Sequence, residues 1–472
     1  MTDFRKIVFG KTDARAESAE CPNLAIDGYF PVDNIDEKIL ELNPFLILGS
    51  KGSGKTALTE FLKLTADGDT IVDQLFLKEF PYNIYGRIVS ENSDPEVQYK
   101  LAWRWILLVH VLQNLIADKD AKPSTKKDLR KATEFLAQSG LMEIITLSDL
   151  VKMKSSFSVK AFSMEHTTSE ETASVSLDLI VNYVKDLVVG FKETHRHILV
   201  VDGIDSFLFS PVKHYPSLVA LIDEAKDLNL FFREKDLPAK IILLCRTDLF
   251  EQLPDPNKNK IRRDYAYLLD WYEKDVSGEN RLITIANMRT RLVYPEVEDM
   301  FSEFFPSGSA GDDIRSELLG YTRHTPRDFM QLLVSIQQNC PESKVSEKAI
   351  ERGLADYSTD YFIPEIRDEM AGYLPFDDID RVMGILSSFR SREFSSSAFN
   401  QALRESALTS GLSSTDVLKV LFDCGAIGCI HPSGDGSQPG VVFKYQDRHS
   451  AVSQSDRFLL HNGLCKGLNV NH

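Results

Sequence analysis

The octet Gly49-Ser-Lys-Gly-Ser-Gly-Lys-Thr56 constrains this chain more than any other feature. It fits the pattern GxxxxGK[ST] and stands between an apolar run, Pro44-Phe-Leu-Ile-Leu48, and a helically spaced segment, 57–63. Buried strand, glycine-rich turn and helix in that order make a phosphate-binding loop. The chemistry accounts for each position. Gly49, Gly52 and Gly54, with Ser53 among them, let the backbone curl so that its N–H groups converge on phosphate oxygens. The helix starting after Gly54 adds its positive N-terminus. Lys55 is expected to serve as a point charge for the β- and γ-phosphates, and the Thr56 hydroxyl as a ligand to Mg²⁺.

A second apolar strand, His197-Ile-Leu-Val-Val-Asp202, ends on a carboxylate expected to hold the Mg²⁺ water shell. Asp205, three residues on, reads in two ways: it orients the attacking water, or it caps the next helix. A carboxylate as short as aspartate in the first role implies slow hydrolysis. A third strand, Lys240–Arg246, ends on Arg246, either a reporter of the γ-phosphate or an arginine exposed at a strand end. Three apolar strands separated by helices predict an α/β fold with a parallel sheet.

Between loop and second strand lies a long insertion, about 80–175. It contains a helix over 98–116 around Trp103 and Trp105, a charged exposed helix over 124–140, and a Ser/Thr-rich hairpin or loop over 153–175. Helices are also expected over 177–194 and 216–233. From about residue 276 the pattern is helical, a lid reaching to residue 372. Arg327, in His324-Thr-Pro-Arg327, starts a helix there and is either a lid arginine folding back on the nucleotide or a surface salt-bridge partner. The run 258–263 offers Arg262 and Arg263 either as an arginine finger for a neighbouring subunit or as a solvated basic face. Residues 373–472 show three short helical segments, 378–388, 396–405 and 414–424, then two β runs, 427–430 and 440–445: the layout of a winged helix.

Together these residues resemble the AAA+ and STAND branches of the P-loop ATPases, close to the origin-recognition type. Ile7-Val-Phe9-Gly10-Lys11, followed by Glu17, is similar to the box that packs on adenine there, with Lys11 in place of the usual arginine and Glu17 beyond the usual spacing. The resemblance implies ATP as the nucleotide, contacts from Phe9 and Gly10, and self-association around the nucleotide. It implies a nucleotide-driven switch. The insertion is more similar to poorly characterised bacterial P-loop ATPases of genome-defence loci, which implies an antiviral setting.

The bulk properties narrow the partners. The 472 residues carry a formal charge of -16, so no global attraction to nucleic acid or anionic membrane is expected. No apolar stretch is long enough to span a membrane. The six cysteines form no CxxC pair and the first residues lack an apolar signal core, so reduced thiols and a cytoplasmic location are expected. From Phe376 onward nine basic side chains face ten acidic ones, and the presumed recognition helix holds Asp416, Lys419 and Asp423. Strong duplex binding needs net positive contacts. A protein effector is therefore favoured over DNA, with Lys444, Arg448 and Arg457 of the wing as the remaining DNA candidates; Lys444 and Arg448 are expected to face solvent. Three classes of function follow: an ATPase switch acting on assembly or an effector, a DNA-binding initiator or repair ATPase, and a non-hydrolysing ATP-bound scaffold.

Overall fold

The computed structural model describes residues 2–41, 43–77, 95–119, 177–189, 195–204, 211–273, 280–306, 314–406, 408–431, 440–452 and 457–470. The segments expected over 124–140 and 153–175, the tip of the wing and Asp205 lie outside these residues. The chain forms two compact units, one of Asn34–Leu48 with Leu62–Leu268, the other of Met1–Asp33, Gly49–Phe61 and Leu269–His472.

The first unit is built on a five-stranded sheet. Its strands are β1 (Leu46–Gly49), β2 (Thr70–Phe76), β3 (Arg196–Asp202), β4 (Ala239–Arg246) and β5 (Ala266–Leu269), in the order β2-β3-β4-β1-β5. β2, β3 and β4 run parallel, with Phe76 opposite Asp202 and Val201 opposite Leu243. The expected α/β architecture is therefore present. All four residues of β1 and the last six of β3 are buried, as runs of Leu, Ile and Val covered on both faces must be. Two strands were not expected. β2 carries Asp73 and Gln74 in its middle and is only half-buried, so it shows no apolar run. β5 is four residues long and follows directly on the helix Lys258–Tyr265.

The core of this unit forms around the helix Pro95–Ala117, which buries Trp103, Trp105, Leu107, Leu108 and Leu112. A helix apolar around much of its circumference belongs inside a protein. The Trp103 indole N–H donates to the Ser217 carbonyl of the helix Pro211–Glu234 at 2.9 Å, and Arg104 forks onto the buried Glu224 carboxylate at 2.7 and 2.9 Å. No described helix is long and apolar enough to cross a membrane.

In the second unit, helices Arg281–Arg291, Met300–Phe304, Ile314–Leu319, Pro326–Gln338, Glu347–Asp356 and Ile363–Met370 fill the expected lid region. The helix Pro326–Gln338 starts where its sequence demands: Thr325 caps it, accepting from the Asp328 N–H, and Pro326 takes the first position. Further on, helices Phe376–Ser388, Ser396–Ser406 and Ser414–Asp423 match the three expected segments. The third opens on a reciprocal capping box between Ser413 and Asp416. The expected hairpin is β7 (Ile427–His431) with β8 (Gly440–Val442). It belongs to a larger antiparallel sheet with β6 (Glu393–Ser395) and β9 (Arg457–Leu460), in the order β6-β9-β7-β8. Asp378, buried, clasps this region by accepting from the Thr409 N–H, the Thr409 hydroxyl and the Ser410 N–H at 2.8, 2.9 and 2.8 Å. Those donors hold its carboxyl down to about 2, against the desolvation that opposes them.

Candidate functional site

The phosphate-binding loop is wound into a tight curl. Gly52 and Gly54 have φ of 81° and 91°, a left-handed conformation that costs a glycine little and other residues much. The Lys55 ammonium lies across the curl and donates to the Gly49 and Ser50 carbonyls at 3.0 and 2.9 Å. Lys55 is buried to 8% exposure, at the first turn of the helix Lys55–Thr65, with Thr56 beside it. The Ser53 hydroxyl is buried without a hydrogen-bond partner. An unsatisfied hydroxyl buried beside a lysine at a helix N-terminus suits an anion. These residues fit a nucleotide's phosphates.

The loop is held from outside by residues far along the chain. The Trp271 indole N–H donates to the Ser53 carbonyl at 2.8 Å. The Arg327 backbone N–H points at the Gly52 carbonyl at 3.4 Å. A Cβ on Gly52 would stand 3.1 Å from both Arg327 Cβ and Thr325 Oγ1. Lys51, at the tip, pairs with Glu365 at 2.9 Å, from the helix Ile363–Met370. The turn bearing Arg327 is thus packed on the loop.

The box near the N-terminus is also assembled, by a route its spacing hides. The helix Ala14–Glu20 carries Glu17 back over Gly10, where its carboxylate accepts the Lys11 backbone N–H at 2.7 Å. Arg289, from the helix Arg281–Arg291, donates to that carboxylate at 2.9 Å and to the Phe9 carbonyl. Gly10 has φ of 99°, a backbone that residues with a side chain rarely adopt, and Glu17 Oε2 and Arg289 Nη1 close over the space a Cβ would take. The Phe9 ring itself is buried against Phe4, centroids 5.5 Å apart, and only its carbonyl meets Arg289.

In the sheet unit, Asp202 closes β3 at 8% exposure. One carboxylate oxygen accepts the Gly203 N–H at 2.7 Å, the other the Gln74 amide at 3.1 Å. Lys63 donates to the other end of Gln74 at 2.6 Å and so fixes the direction of that amide. Arg246 closes β4 and is buried rather than exposed, forking onto Asp248 at 2.9 and 2.7 Å. Arg262 pairs with Glu251 at 2.5 Å, while Arg263 is exposed. Gln74, Trp271 and Arg289 carry no sequence signal: each acts through a contact far away in the chain.

The turn before Arg327 rests on a buried polar network. Arg323 forks onto Asp328 at 2.8 and 3.0 Å and also pairs with Glu369; Tyr361 donates to Asp328 at 2.8 Å. Next to it, His324 takes a left-handed φ of 52° and lies against Tyr272 and Tyr445. His461, beneath, accepts the Gly463 N–H on Nδ1, so its Nε2–H donates to the Tyr445 oxygen at 3.0 Å. Burial holds His324 down to about 4 and His461 to about 3. Both are neutral in the folded state and charge on unfolding. Their stabilisation is therefore complete above the unfolded value near 6.5 and is lost as pH falls toward 4. Unfolding free energies from urea titration should accordingly drop between pH 7 and pH 4.5, on the order of a few kcal/mol. His324→Asn keeps a residue that tolerates the left-handed turn and should flatten part of that slope. An equal slope in wild type and variant would remove His324 from the account.

One expectation about the wing is corrected. Lys444 does not point freely into solvent: it donates to the Arg448 and Ser450 carbonyls at 2.7 and 3.0 Å. Arg448 reaches Asp270 at 2.5 Å, and Arg457 pairs with Glu393. Local charge along the sequence cannot reveal the distant partners of Arg448 and Arg457.

No protein-family model matches the chain, and no curated protein matches it. Among solved structures it is similar to the Aeropyrum pernix Orc1 protein in complex with DNA, with 13% identity, 94% of this chain and 95% of that chain covered, and a TM-score of 0.40. The Walker-type ATPase of Pyrococcus abyssi shares 11% identity over 93% and 94% of the two chains, TM-score 0.38. Cdc6p from Pyrobaculum aerophilum shares 11% over 98% and 95%, TM-score 0.32.

Proposed function

We propose that this chain binds ATP with Mg²⁺ and hydrolyses it slowly, as a switch acting on its own assembly or on a protein effector. The observation that carries this reading is the preformed loop: two left-handed glycines, a buried lysine laid across the curl, and the unsatisfied Ser53 hydroxyl within it. Lys55 and the loop amides would hold the phosphates, and Thr56 and Asp202 are the proposed Mg²⁺ ligands. Bound Mg²⁺ would supply charge neutralisation at the transferring phosphate. Gln74 and Gly203 orient Asp202, and Asp205 is proposed to position the attacking water. Arg246 and Arg327 are the proposed γ-phosphate contacts, with the lid at 276–372 and the C-terminal domain at 373–472 responding to the nucleotide. Self-association, with Arg262 or Arg263 as a finger, belongs to the same proposal and requires turnover per chain to rise with protein concentration. An antiviral setting is the proposed context.

The deciding experiment compares Asp202→Asn and Asp205→Asn. Asp205→Asn should bind ATP–Mg²⁺ as wild type does and turn over at least about a hundredfold more slowly, the scale of a lost water-positioning group. Asp202→Asn should instead weaken the Mg²⁺ dependence itself. Wild-type turnover by Asp205→Asn would return that residue to helix capping, and a wild type that binds ATP without turnover would leave the scaffold reading.

Duplex DNA is the competing partner, and the engagement of Lys444, Arg448 and Arg457 within the chain counts against it. The informative probe is Lys419, exposed on the helix Ser414–Asp423. Wild type should show no duplex binding near physiological salt. A dissociation constant tighter than about a micromolar, lost in Lys419→Glu with a shallower salt slope, would favour the initiator or repair reading.

A further inference from the structure

Two chains of contact run from the segment 443–450 of the C-terminal region to the phosphate-binding loop. The first passes through Arg448, which pairs with Asp270 at 2.5 Å. The next residue, Trp271, is the one whose indole N–H holds the Ser53 carbonyl at 2.8 Å. The second passes through Tyr445. Its ring stacks on His324, centroids 5.7 Å apart and planes at 26°, and Tyr272 meets the same imidazole edge-on at 5.1 Å. His324 opens the turn Thr325-Pro-Arg327 that packs on Gly52. His324 holds a left-handed backbone, uncommon for a residue with a side chain though histidine adopts it more readily than most. Tyr272 and Tyr445 both lie against its imidazole.

We infer that Tyr445, and to a lesser degree Arg448, are positioning residues for the phosphate-binding loop, so that the C-terminal region sets nucleotide affinity through the His324 turn and the Asp270–Trp271 step. The inference rests on the proposed nucleotide binding. Magnitudes rank the two routes. The Arg448–Asp270 pair is partly exposed, its side chains 26% and 48% accessible, and pairs of that kind contribute little and are screened by salt. The aromatic trio is more enclosed, and such contacts are worth more. By reciprocity, a nucleotide that tightens the turn also stiffens residues 443–450.

The test uses the full chain with a fluorescent ATP analogue. Tyr445→Leu should weaken binding about tenfold, and Arg448→Ala about twofold, the latter effect vanishing at high salt. If Tyr445 acts through the turn, its substitution should add almost nothing in an Arg327→Ala background. Fully additive losses, or unchanged affinity in Tyr445→Leu, would overturn the inference. Tyr445→Phe, which keeps the ring and loses only the hydrogen bond to His461, guards against misfolding and should retain most of the affinity. Amide hydrogen exchange without nucleotide gives an arm that does not depend on binding. Peptides covering 49–56 and 323–328 should exchange faster in Tyr445→Leu than in wild type and no faster in a Lys419→Ala control. Should wild type bind no nucleotide, the proposed function fails and this exchange result alone decides the coupling; identical exchange in wild type and Tyr445→Leu overturns it.

Discussion

Lys55→Ala is expected to lower ATP affinity by at least about a hundredfold and to abolish turnover. Truncating one partner of a desolvated charge pair costs about 2–5 kcal/mol, and about 2.7 kcal/mol already corresponds to a hundredfold. Lys55 meets the conditions for the upper part of that range. It is 8% exposed, so water replaces little of what it gives a phosphate. Its ammonium is already fixed on the Gly49 and Ser50 carbonyls, so little conformational freedom is lost when the anion arrives. Lys55→Arg should not rescue binding, because a planar fork does not fit a curl shaped around a point charge. The control is thermal: ATP should raise the melting temperature of wild type and leave that of Lys55→Ala where it was. Equal affinity of the two proteins in calorimetry would remove the loop from nucleotide binding altogether.

The second large effect is on stability. Asp328→Ala should cost about 3–5 kcal/mol, the range for stripping the partner from a buried charge. Asp328 is fully buried and receives the Arg323 guanidinium on both oxygens, the Arg323 backbone N–H at 3.2 Å and the Tyr361 hydroxyl at 2.8 Å. Its carboxyl is held below the ordinary range by that guanidinium, while burial works in the opposite direction. Arg323 is pushed upward by the Asp328 and Glu369 carboxylates despite its own burial. Removing Asp328 leaves the cation with Glu369 alone and the Tyr361 hydroxyl without its acceptor. Replacing both partners, Arg323→Met with Asp328→Leu, should be less damaging than the single change, because no uncompensated charge remains. Trp271 lies in the same compact unit, so its fluorescence reports the relevant transition in urea. A single variant as stable as wild type, or a double variant clearly worse than the single, would contradict this account of the network.

The contrast between these two sites measures what was readable in advance. Lys55 announces itself because a phosphate loop is a local object: a strand, a curl and a helix turn within a dozen residues. The apolar runs of β1, β3 and β4 are local in the same sense, and each formed where the sequence placed it. β2 stayed hidden because the polar Gln74 in its middle is there to orient Asp202, a requirement of the neighbouring strand rather than of β2 itself. Glu17 looked too distant for its box until the helix Ala14–Glu20 folded it back.

The sequence by itself therefore determined the apolar strands, most of the helices and the candidate phosphate loop, since hydrophobic period and turn residues act over a few positions. Tertiary structure alone decided what holds that chemistry in place. Trp271 meets Ser53 across 218 residues, Arg289 meets Glu17 across 272, and Arg448 meets Asp270 across 178. A buried donor must find an acceptor, but only the folded backbone specifies which one stands within reach.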